Sequence, residues 1–300
     1  KNNFMLFAKN KCKKIRVRLM RYKEISKNKW LDVKKNEIFS TKYYKGIDGK
    51  KFSFLDKKDN YLNGQFGLSW YNNFYNRMNL KTSKYISDSE IIIKHHKNKI
   101  KGKKVLILGA GPSSALVNWS DDYELIITSN NYYKKFQKPP YMITFTPYIN
   151  LLSDEVTNFL NNNTSLIGLE TEFLKENEIK MVSEFYRKYR DRIVVYQTRY
   201  CSAIGVSTRQ AVLAVLLGAS EVHLCGLDLF KDNNSTLHCF EKNKGLPNWR
   251  RVHGKDFQDR QVISFWSYIK QLARKTNCKV VNISEHLECN CMSFITKVKK

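Results

Sequence analysis

The 300-residue chain contains no apolar run of about 18 residues, so no segment reads as a transmembrane helix. Its seven cysteines (Cys12, Cys201, Cys225, Cys239, Cys278, Cys289, Cys291) form no CxxC pair. An odd, scattered set indicates neither a disulfide framework nor a zinc module, and a reducing cytoplasm is the expected setting. GxxxxGK[ST] is absent, which argues against a P-loop ATPase, and no complete GxGxxG is present either. A DxD carboxylate pair is also missing from every predicted strand end, so no metal site is expected. The first eight residues join a basic end to an apolar stretch too short for a secretory signal.

What is present is apolar mass and positive charge. The hydrophobic fraction is 42%, with 17 Tyr, 17 Phe and 5 Trp, enough to build a core and to exclude wholesale disorder. The formal net charge is +26. Residues 1–104 hold 28 Lys/Arg against 8 Asp/Glu, a net of +20, leaving only +6 for the other 196 residues. Charge concentrated in this way attracts polyanions: nucleic acid, anionic lipid or acidic glycolipid.

Composition changes near Lys103-Lys104 and sets the expected boundary. Residues 1–103 form a basic, aromatic-studded region of unknown fold; residues 104–300 alternate apolar strands with helices. That alternation predicts an α/β architecture, a Rossmann-like, doubly wound, mostly parallel sheet. Strands are expected at 105–108, 123–128, 141–145, 165–169, 192–196, 221–225 and 279–283. Helices are expected at about 148–160, 172–189, 207–217 (closed by Gly218) and 255–275. Such sheets bind ligands at the carboxyl ends of their strands, which directs attention to the residues just after each one.

The first strand stops at Gly109-Ala110-Gly111-Pro112-Ser113-Ser114, a turn suited to close approach of main-chain N–H groups to a phosphate. Asn130-Asn131 follows the second strand, where amides could meet a sugar or a base edge. Gly205-Val206-Ser207-Thr208 opens a strongly apolar helix and offers a second anion-binding edge. Asp228 follows the 221–225 strand, and the polar segment after it carries His238 and His253. His253, with Asp256 and Asp259 nearby, could abstract a proton; His223, inside an apolar strand, reads as structural.

Several segments together resemble the bacterial lipooligosaccharide sialyltransferases (glycosyltransferase family 42) and the related motility-associated glycosyltransferases. They are 105–113 (VLILGAGPS), 129–133 (SNNYY), 145–147 (FTP), 217–230 (LGASEVHLCGLDLF) and His253 with Asp259 before a long helix. The resemblance spans roughly residues 104–285. It implies that 104–300 is a nucleotide-sugar-binding catalytic domain, an inverting glycosyltransferase with no metal or other cofactor. CMP-sialic acid would be the donor and a glycan or glycolipid the acceptor. His253 would match the family's catalytic base, drawing a proton from the acceptor hydroxyl as CMP departs. Gly109, Ala110, Gly111, Ser113, Asn130, Asn131 and Thr146 would hold the nucleotide. Ser207 and Thr208 would hold the phosphate or sialyl carboxylate, and Asp228 would begin the loop that organises the leaving group.

The chain departs from the family at Ala110, where an Asn is usual, and at Thr146, where Asn is usual as well. Phe230 stands where a phosphate-bonding Tyr is expected, and His238 near the second such Tyr, whose role it could take as a cationic donor. The family's arginine before the capped helix finds no match in register at Arg199 or Arg209. The basic first third would dock on an anionic membrane surface, placing the protein peripherally on the inner face; a homo-oligomer is a further expected form. Two other readings stand beside this one. One is a diphosphokinase-like or motility-associated transferase using another nucleotide donor. The other is a nucleic-acid-binding protein whose aromatic residues (Trp30, Tyr43, Trp70, Phe74) stack on bases.

Overall fold

The computed structural model describes residues 22–26, 29–32, 37–40, 43–45, 51–53, 98–115, 123–135, 139–146, 151–170, 176–196, 205–227, 265–266, 268–270 and 272–283. In the first third the chain forms short antiparallel strands where sequence patterning gave no clean periodicity. β1 (Tyr22–Ser26), β2 (Lys29–Asp32) and β3 (Glu37–Ser40) make one three-stranded meander. β4 (Tyr43–Lys45) and β5 (Lys51–Ser53) make a separate hairpin.

The remaining strands are β6 (Lys104–Leu108), β7 (Leu125–Ser129), β8 (Met142–Thr144), β9 (Leu166–Glu170), β10 (Ile193–Tyr196), β11 (Glu221–Cys225) and β12 (Lys279–Asn282). They form one seven-stranded sheet in the order β10-β9-β8-β7-β6-β11-β12, with every pairing parallel. Burial on both faces explains the unbroken apolar runs: Val105, Leu106, Ile107 and Leu108 are all fully buried. Alternate residues serve opposite layers. Val105 and Ile107 pack with α3 (Val206–Leu216) and the helical residues within 265–273. Ile143, Ile167, Leu169, Ile193 and Val195 pack with α1 (Asp154–Asn161) and α2 (Ile179–Tyr189). The sheet is therefore doubly wound, as expected.

Element boundaries differ from expectation for identifiable reasons. α1 starts at Asp154 rather than near 148, because Ser153 caps it by accepting from the Val156 N–H, with Asp154 and Glu155 in the first turn. The helix expected over 172–189 is a 3-10 turn at Glu176–Glu178 leading into α2. Beyond α3, Gly218 at φ +89° closes a Schellman motif: its N–H bonds Val215 O, and the Ala219 N–H bonds Ala214 O. Among the described residues no helix is long and apolar enough to cross a membrane.

Candidate functional site at the carboxyl edge of the sheet

The chain lays down β6 to β10 in one direction, then returns to place β11 on the other side of β6. The strand order therefore reverses between β6 and β11, and the residues leaving both strands meet at that switch point. The Gly109 N–H donates to Cys225 O (2.7 Å), and the Gly111 N–H donates to Gly226 O (2.8 Å). Ser113 Oγ accepts from the Gly226 N–H (3.1 Å), while Ser114 Oγ donates to Gly111 O (2.7 Å). The contact is backbone against backbone. A Cβ at Gly109 would collide with Gly226 O, and one at Gly226, whose φ is +67°, would collide with Gly109 O. Glycine is therefore required at both positions for close approach, and at Gly226 for its left-handed backbone as well.

This changes the reading of the glycine turn. Its amides at 109 and 111 are engaged by the end of β11 and the residue that follows it, and Ser113 and Ser114 are fully buried. The turn thus zips the two halves of the sheet together, with Ala110 and Pro112 half-buried on its outer side. Any phosphate contact at this place falls to the outer surface of the turn.

Beside it lies a polar ledge along the ends of β7, β8 and β9. Asn130 has φ +54°, a left-handed conformation Asn tolerates better than other side-chain-bearing residues, and its Oδ1 accepts from the Thr146 N–H (2.7 Å). Asn131 and Thr146 are half-buried next to it. Beneath the ledge Thr128 Oγ1 donates to Leu108 O (2.8 Å), and Gln210 Nε2 of α3 donates to Thr128 O (2.5 Å). The far end is the start of α3, where Gly205 (φ +121°) is exposed and Ser207 half-buried. Thr208 is buried and its Oγ1 donates to Gly205 O (2.8 Å), so its hydroxyl secures the helix start.

Between these pieces sit Glu170, which sequence reasoning missed, and Arg209, which it set aside as out of register. Glu170 ends β9, and Arg209 lies in the first turn of α3; their side chains are 2% and 3% exposed. Arg209 Nε and Nη2 donate to Glu170 Oε1 and Oε2, each at 2.9 Å, in a two-pronged ion pair. Thr146 Oγ1 lies 3.5 Å from Glu170 Oε2. The available signal was an arginine embedded in a helix otherwise rich in Ala, Val and Leu, which demands a buried carboxylate.

His223 lies mid-strand in β11, opposite Leu106, and its side chain is engaged within the protein. Its Nδ1 meets the Tyr123 hydroxyl at 2.5 Å and its Nε2 meets Glu221 Oε1 at 2.7 Å. Asp228, His238 and His253 lie outside the described residues. Among the described residues no three His, Cys, Asp or Glu side chains are grouped to hold a metal ion.

No family model and no curated protein matches the chain. Solved structures do. One is the monofunctional alpha-2,3-sialyltransferase Cst-I from Campylobacter jejuni, at 15% identity and a TM-score of 0.46, covering 65% of this chain and 79% of that one. Two are the sialyltransferase CstII from the same organism. Its complex with cytidine-5'-monophosphate matches at 16% identity and a TM-score of 0.45, covering 65% of this chain and 84% of the other. Its complex with CMP-3FNeuAc matches at 15% identity and a TM-score of 0.44, covering 65% and 85%.

Proposed function

We propose that the protein is a sialyltransferase-like glycosyltransferase that moves an acidic sugar from a CMP donor to a glycan or glycolipid hydroxyl. One observation carries the reading. The segments that resemble family 42 (105–113, 129–133, 145–147 and 217–230) lie far apart in sequence, yet their described parts converge. The turns after β6 and β11 join at the switch point, and the ledge after β7 and β8 adjoins them. In this reading the outer side of the Gly109–Ser113 turn and the Asn130–Thr146 ledge receive the cytidine and ribose. Ser207 and the N-terminal end of α3 face the acidic groups. His253 takes the acceptor proton, the acceptor oxygen bonds to the anomeric carbon with inversion, and CMP leaves with the electron pair of the broken bond. The site works without a metal, the positive end of α3 and neighbouring hydroxyls meeting the phosphate charge. The basic N-terminal region docks on an anionic membrane surface, at about 1 kcal/mol per basic residue close to it.

The test uses the full chain. His253→Ala should bind CMP like wild type yet release CMP from CMP-sialic acid about 10²- to 10⁴-fold more slowly in the presence of a glycan acceptor. Unchanged turnover in that variant would remove the catalytic assignment. Activation by Mg²⁺ with ATP as donor would favour the diphosphokinase-like reading instead, because transfer of that kind uses metal to neutralise phosphates.

A further inference from the structure

α3 is buried on nearly all sides, and a charged residue in such a helix is costly to hold unless paired. Arg209 is paired, and its partners lie where they matter for the site. Two of its nitrogens hold the Glu170 carboxylate at the end of β9, while Nη1 donates to Gly205 O (3.2 Å), the carbonyl that Thr208 Oγ1 also grips. Glu170 Oε2 faces Thr146 Oγ1, and the Thr146 N–H is held by Asn130. A continuous path of polar contacts thus runs Asn130–Thr146–Glu170–Arg209–Gly205. It links the ends of β7, β8 and β9 to the first turn of α3. A buried ion pair gives little net stability over well-packed apolar replacements of the same volume, so stability alone does not account for the pair.

We infer that Glu170 and Arg209 are positioning residues. They fix the Gly205–Ser207 turn against the Asn130–Thr146 ledge, so that the two halves of the donor site keep one spacing. The inference rests on the proposed function for what the site binds, but not for whether the turn is held. With both side chains buried, neither touches the donor; Arg209 acts through Gly205, and Glu170 through Arg209 and Thr146.

The test compares wild type with Arg209→Lys and with the apolar double variant Glu170→Leu/Arg209→Met. Each is characterised by its melting temperature, by amide exchange at residues 209 and 210, and by CMP affinity from calorimetry. The double variant should melt within a few degrees of wild type, exchange those amides at least 10-fold faster and bind CMP at least 10-fold more weakly. Arg209→Lys keeps the charge but loses the two-pronged geometry, and should lose at least 5-fold in CMP affinity while folded. Unchanged exchange would overturn the inference, and so would faster exchange with unchanged CMP affinity. Failure of wild type to bind CMP would instead defeat the functional reading. The exchange result alone would then support or overturn the holding of the turn.

Discussion

Replacing Gly226 by Ala introduces two penalties that can be separated by comparison with Gly102→Ala. Both glycines have left-handed backbones, at φ +67° and +75°, so each variant incurs roughly 1–2 kcal/mol of conformational strain. They differ in surroundings. A Cβ at Gly102 has nothing within 4 Å, whereas one at Gly226 meets the carbonyl of Gly109 and lies 2.9 Å from Ser114 Cβ. Neither neighbour is the loose end of a flexible side chain, so the turn itself must move, at about 1–3 kcal/mol for overpacking of this kind. Gly226→Ala should therefore lose about 2–5 kcal/mol and Gly102→Ala about 1–2. Urea titrations at constant m-value read both, and a melting gap of about 2–12 °C should separate the variants, at about 2–4 °C per kcal/mol. CMP affinity should fall only in Gly226→Ala. Equal losses of stability would refute the backbone-to-backbone seam as the element that closes the switch point.

Two further outcomes follow from the opposite edge of the sheet. Burial alone would raise the Glu221 carboxyl, but hydrogen bonds from Lys279 and His223 outweigh it and hold it below its ordinary value of 4.5. A carboxyl depressed in the folded state contributes stability above that value and loses it as pH falls below. The melting temperature of Glu221→Gln should accordingly lie below wild type at pH 7 and converge with it as pH falls below 4.5 and through the lowered folded-state value; a gap independent of pH would contradict the assignment. Burial, with the Glu221 charge adding to it, pushes the Cys278 thiol up to about 12. Iodoacetamide at pH 8 should leave Cys278 unmodified in the native protein and label it in urea, and rapid native labelling would show the thiol to be accessible.

The sheet was legible because strands buried on both faces must be apolar throughout, and 105–108 and 193–196 stand out as such runs. Tyr123 reads as the start of the second strand, but that strand begins at Leu125; Tyr123 is buried instead by its contact with His223, a residue 100 positions away in the chain. β1 to β5 escaped notice because strands of three to five largely polar residues carry no readable alternation. Hydroxyl and amide residues at Asn130, Thr146 and Ser207 were located from their places after strands. The inward commitment of Ser113 and Thr208 depended on hydrogen bonds that sequence does not specify. The Glu170–Arg209 pair was hidden for a similar reason. An arginine in an apolar helix announces that it needs a carboxylate, but a partner 39 residues away can be chosen only by the fold.

The most direct test of the central claim is calorimetric titration of the intact protein with CMP, with and without EDTA, alongside UDP, GDP and ATP. The account predicts one CMP site, unaffected by EDTA, that at 100 times its dissociation constant stabilises the protein by about 2.7 kcal/mol. Binding of ATP that requires Mg²⁺, with no heat from CMP, would contradict it.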